Sequence, residues 1–250
     1  MSPDALYNVD DAGDLAVGLS RTLVLLNYPI ALAAIALAAL ARGPRPLVWA
    51  SIGLCAVAAL PGVVDQGDLD ARWINVVPAL GVLLALGLTV AAARRQRPSF
   101  AGRVRGDRLR LALGIGLLLI ALPWLAAETG FYFPGDLFMG EEVPADRDPG
   151  IAAVHLGFHH GNGGAMLALA ALLLSRAPAG RILRAYVSLM LAYGLANAVQ
   201  DAWNEQLWKR GWVDVHVPSV IRPDVTWGWL AIVLGAAAIY ALWFRPRPEP

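Results

Sequence analysis

Seven stretches close to twenty residues long, each nearly free of charge, recur along this 250-residue chain at 22–41, 46–64, 74–93, 109–129, 151–175, 182–202 and 225–244. A helix rises about 1.5 Å per residue, so about twenty residues cross a hydrocarbon core of about 30 Å. Chain inside lipid must satisfy its own backbone hydrogen bonds, which a helix does and an open strand does not. Hydrophobic residues make up 58% of the chain and charged residues 16%, a balance rare in a soluble domain of this size. The expected class is therefore all-α: a polytopic membrane helical bundle of seven transmembrane helices, forming a single domain over 1–250. Pro29, Pro61, Pro78 and Pro123 fall within or near the ends of these spans, where kinks are expected.

Charge alternates from one connection to the next. The segments after spans one, three, five and seven hold 14 of the 20 basic residues and two acids, Asp107 and Glu249. The other segments hold 17 acids against six basic residues. The positive-inside rule then predicts the N-terminus outside and the C-terminus in the cytoplasm. Segment 1–21 and loops 130–150 and 203–224 are assigned outside, and 245–250 forms a cytoplasmic tail. Residues 1–14 are acidic and polar where a secretory signal would begin basic, so no cleavable leader is expected and the first span acts as its own signal. The Arg-rich segment 94–110 reads as a topology signal beside anionic headgroups rather than as a nucleic-acid patch, and no nucleic-acid partner is expected. Nineteen of the basic residues are Arg, which with the abundant Ala suggests a bacterial, GC-rich source and hence the plasma (inner) membrane. Cys55 is the sole cysteine, which excludes a disulfide framework. Trp73, Trp124, Trp203, Trp208, Trp212, Trp227 and Trp229 fall near the outer boundary as an aromatic belt.

Span five carries three of the four histidines near its start, in I-A-A-V-H-L-G-F-H-H-G-N-G-G. His155 and His159 are one helical turn apart and share a face; His160 is turned about 100° away. Ionisable groups are costly within hydrocarbon, which marks this as the first place to seek function. On span six, Asn197, Asp201 and Glu205 form one stripe with Asn204 beside them. Under the predicted topology Glu128 at the end of span four and Asp65 at the end of span two reach the same outer level. A His-x-x-x-His pair with a third ligand from a neighbouring helix suits a divalent transition ion with a position open for water. The expected ligands are His155 and His159, with Asp201 or Glu128 as the third and His160 as a further ligand or support; Glu128 and Asp201 are the candidate catalytic carboxylates. The expected metal is Zn²⁺ or another divalent transition ion. Glycines 157, 161, 163 and 164 are expected to permit close helix packing and to loosen the helix after His160.

The pattern around H-L-G-F-H-H-G resembles that of uncharacterised actinobacterial multi-pass membrane proteins, which implies location but no mechanism. The count of seven spans, with His and Asp in the inventory, is loosely similar to alkaline-ceramidase-like hydrolases, a resemblance that implies a zinc-dependent hydrolase. Four histidines are too few for the di-iron site of membrane desaturases. The last span lacks the lysine a retinal protein needs, and Asp65 and Asp68 lie on the wrong side for a prenyltransferase. Three functions follow: a metal-dependent hydrolase acting on a lipid or envelope substrate, a proton- or cation-coupled transporter, and a non-catalytic scaffold or accessory subunit. The expected partners are membrane lipids and a lipid or small-molecule ligand entering from outside. No internal repeat of broken helices is evident, which favours the enzyme over the carrier.

Overall fold

A computed structural model describes residues 29–60, 63, 73–95, 104, 106–128, 161–221 and 224–245, with the backbone alone described at 123–128. Among the described residues there are seven α-helices and no strand. They are α1 (Pro29–Leu40), α2 (Arg45–Ala56), α3 (Val76–Arg95), α4 (Asp107–Glu128), α5 (Gly163–Leu174), α6 (Arg181–Trp203) and α7 (Trp227–Ile239). A 3₁₀ turn, Val57–Ala59, extends α2 and another, Trp73–Asn75, leads into α3; π-helical turns Asn204–Trp208 and Tyr240–Phe244 extend α6 and α7. With these extensions, three helices among the described residues are long and apolar enough to cross a membrane: Trp73–Arg95, Arg181–Trp208 and Trp227–Phe244. Pro29–Leu40, Arg45–Ala59 and Gly163–Leu174 are shorter apolar helices.

The helical stretch that begins with α2 runs to Ala59, and Leu60 is extended, with φ −77° and ψ 120°, as a residue before a proline prefers. Pro61, where a kink is expected, lies outside the described residues.

Two apolar clusters meet at α1. Ala31, Ala34 and Ala38 pack with Cys55 and Ala58 of the α2 segment and with Val82 and Ala85 of α3. Ala36 joins the larger cluster formed chiefly by α5, α6 and α7. Small residues on both sides of α1 let two groups of helices approach it closely, the usual basis of helix association where lipid replaces water. Polar pins reinforce these contacts. Ser51 Oγ donates to the Gly81 carbonyl at 2.9 Å, and Tyr186 OH to the Leu32 carbonyl at 2.8 Å. Many large apolar side chains face outward, Leu83, Leu119, Ile182 and Leu234 among them, as lipid-facing surfaces do.

At the start of α6, α4 to α7 are gathered around Arg110, whose side chain is 8% exposed. Its Nε donates to Ser175 Oγ at 2.8 Å, and Nη1 lies 3.5 Å from Asp107 Oδ1. The guanidinium also sits 4.7 Å from the Trp243 ring centroid, a cation–π distance. Arg176 reaches the second Asp107 oxygen at 3.4 Å, and Arg184 Nη1 donates to the Phe244 carbonyl at 3.0 Å. Gly106 has φ +83°, and a Cβ there would come within 2.2 Å of the Trp243 indole nitrogen, so both conformation and space require glycine.

Candidate functional site on α6

The C-terminal half of α6 buries a polar stripe. Asn197, Gln200, Asp201 and Asn204 stand at i, i+3, i+4 and i+7, one face of the helix, and each is less than a tenth exposed. Glu205 is assigned to the same stripe by its spacing, but its carboxylate pairs with Lys209 Nζ at 2.8 Å, a Glu-to-Lys contact one turn along.

Chain 212–221 folds back along this face as a strap. The Val217 carbonyl accepts from Asn204 Nδ2 at 2.8 Å and from Gln200 Nε2 at 3.0 Å, while the Val217 N–H donates to Asn204 Oδ1 at 3.0 Å. Trp203 Nε1 donates to the Val215 carbonyl at 2.8 Å, and Tyr193 OH donates to the Ile221 carbonyl. His216 Nε2 lies 3.4 Å from Asn204 Nδ2, and its ring meets Trp208 edge-on with centroids 4.6 Å apart. Backbone outside regular structure is tolerated against apolar helices when its carbonyls find donors, and here side-chain amides supply them.

The amide hydrogen bonds also orient the other half of each amide. Asn197 Nδ2 donates to the Tyr193 carbonyl at 2.9 Å, and Gln200 Nε2 is engaged by the strap. Each amide oxygen must then point away from the bond its nitrogen makes. Asn197 Oδ1 and Gln200 Oε1 are buried and have no donor among the described residues. A buried acceptor without a donor costs about 1–3 kcal/mol, so two on one stripe call for a ligand, a cation or water.

This stripe lies against the start of α5. A Cβ on Gly164 would come within 2.7 Å of the Ala198 nitrogen and 2.8 Å of Asn197 Cβ; one on Gly194 would come within 2.6 Å of the Gly164 carbonyl oxygen. Gly164 with Ala168, and Gly194 with Ala198, are small residues four apart that bring the two backbones together. Gly164 thus fulfils the expected packing role. Residues 161–162, directly after His160, are π-helical, and Asn162 is fully buried. A second π turn, Asn204–Trp208, closes the other end of the stripe. Such turns are frequent at functional sites.

Asp201 is therefore in the buried stripe, as the sequence suggests. His155, His159, His160, Asp65 and the side chain of Glu128 lie outside the described residues, as does all of loop 130–150. Among the described residues no group of three or more His, Cys, Asp or Glu is placed to hold a metal ion. Gln200, His216 and the strap are additions to the sequence reading. What fold and stripe define together is a helical protein with membrane-length apolar helices and one buried polar seam. No protein-family model matches the chain, and neither curated proteins nor solved structures provide a match.

Proposed function

We propose that this is a multi-pass inner-membrane protein of seven spans, N-terminus outside, with an outward-facing metal centre between α5 and α6. His155 and His159 are its imidazole ligands, Asp201 its carboxylate ligand, and His160 a further ligand or support. Bound Zn²⁺ or a similar ion would lower the pKa of its water toward neutrality and supply a nucleophile. Glu128 then serves as general acid or base for hydrolysis of a lipid or envelope substrate. The observation that carries this reading is the backbone contact of Gly164 with Asn197 and Ala198. His160 precedes Gly164 by four residues, a chain length of at most about 14 Å, and this supports a site shared with the buried Asp201 stripe.

The test is Zn²⁺ binding by the full-length protein in detergent across pH. Protonated imidazole cannot ligate, so affinity falls as pH drops through about 6.5 and is retained above it. Asp201→Asn weakens binding at least tenfold if Asp201 is a ligand. Unchanged affinity would remove it from the site.

A cation-coupled carrier is the second reading, favoured by Asn197 Oδ1 and Gln200 Oε1, two buried oxygens that lack donors among the described residues. Such hard oxygens suit Na⁺ or a proton donor better than a transition ion. Cation-dependent uptake without hydrolysis, lost in Asn197→Leu, would select it.

A further inference from the structure

The turn between α1 and α2 carries a cavity of about 410 Å³ at the far end of α1 from Pro29. Arg42 and Arg45 line it together with Val48, Trp49 and Ile52, and no acidic residue among the described residues does. Both arginines are exposed, and neither is ion-paired among the described residues. This separates them from Arg110 and Arg176, which share Asp107.

The turn is built to hold them. Arg42, rather than the adjacent Gly43, takes the left-handed conformation, with φ 48°. That costs a non-glycine residue about 1–2 kcal/mol. Gly43 faces α3: a Cβ there would come within 2.7 Å of Leu88 Cδ2, so the turn is seated directly on that helix. Pro44 and Pro46 stiffen the next step, and α2 starts at Arg45 without a side-chain cap, leaving its positive end open toward an anion. Trp49, 69% exposed, and Leu47, 45% exposed, stand beside the arginines. An exposed indole next to guanidinium groups at a helix end is what the headgroup boundary of a bilayer selects.

We propose that this cavity is a binding site for the phosphate of an anionic phospholipid in the cytoplasmic leaflet, with Arg42 and Arg45 on the headgroup and Val48, Trp49 and Ile52 along the glycerol and first acyl carbons. The proposal rests on the membrane topology proposed above, which puts this turn at the cytoplasmic boundary. It does not depend on the metal centre. The ligand chemistry is a phosphate diester, and the apolar wall with its exposed Trp assigns it to a lipid rather than to free phosphate.

The experiment is native mass spectrometry of the full-length protein released from nanodiscs that contain phosphatidylglycerol and phosphatidylcholine of equal chain length. Wild type retains phosphatidylglycerol preferentially. R42Q/R45Q lowers that preference about 100-fold at low salt, each arginine giving up a hydrogen bond to a charged phosphate worth about 1.5 kcal/mol, at about a tenfold change per 1.4 kcal/mol. R94Q/R95Q removes the same charge from the end of α3, where both arginines are exposed, and leaves the preference within about threefold. An unchanged preference in R42Q/R45Q, or an equal fall in R94Q/R95Q, would overturn the site. Full competition by soluble glycerophosphoglycerol at matched concentration would overturn the lipid assignment in favour of a free phosphate ester. Failure of the membrane reading has its own sign, since the protein would not incorporate into nanodiscs at all.

Discussion

At its C-terminal end α6 is held to the strap 212–221 by neutral amides, Gln200 and Asn204 converging on the Val217 carbonyl. At its N-terminal end the neighbouring helices are gathered by charge, with Arg110 and Arg176 sharing Asp107 and Arg184 closing on the Phe244 carbonyl. Both arrangements fasten chain at the ends of apolar helices, but they leave different remainders. A guanidinium donates in several directions at once, so one residue ties together the ends of α4, α5 and α7, and aromatic rings cover its face. An amide donates on one side and accepts on the other. Fixing its nitrogen therefore fixes an oxygen where its partner is not, as at Asn197 and Gln200. The charged end is a fastening; the amide end is a fastening that also presents acceptors. That difference places the candidate site at the C-terminal end of α6.

The largest effect is expected where the two backbones touch. Gly164→Leu forces a side chain into space occupied by the Ala198 nitrogen and Asn197 Cβ, and should cost about 3 kcal/mol or more. The protein should lose its monodisperse peak in detergent. Gly53→Leu, which meets nothing within 4 Å, should behave as wild type. Arg110→Met comes next: it leaves Asp107 with half its pairing and should lower stability by about 2–4 kcal/mol, read as a fall in thermal midpoint. If it proved neutral, the charged end would be decoration and the comparison would break there. Asn204→Leu removes a reciprocal pair of bonds to Val217 and should cost about 1–3 kcal/mol. Its mark is local, with faster amide exchange in the strap and none at 175–184. Uniform acceleration along the chain would mean that the strap is not a separable unit.

Much of this architecture is legible in the sequence, for identifiable reasons. Helical class follows from apolar runs too long for strands, and the stripe follows from helical spacing. Counting only in fours from Asn197 reaches Asp201 and Glu205 but passes over Gln200, one step nearer on the same face. The Glu205–Lys209 pair is legible from its i, i+4 order. Gly164 was marked for close packing, and the contact with α6 is what such a residue permits. The strap was illegible because its bonds end on the main-chain carbonyls of Val215, Val217 and Ile221, which leave no signature in residue type.

The central claim is that the buried stripe of α6 and the histidines ahead of α5 form one metal centre. It is tested most directly by elemental analysis of the full-length protein, purified in detergent without chelators, beside His159→Ala. The account predicts close to one transition-metal ion per chain in wild type, and its loss in a variant that keeps the wild-type elution profile. Wild-type protein that is metal-free, and that fails to take up Zn²⁺, Mn²⁺ or Fe²⁺ on addition, would contradict the claim and leave the carrier as the better reading.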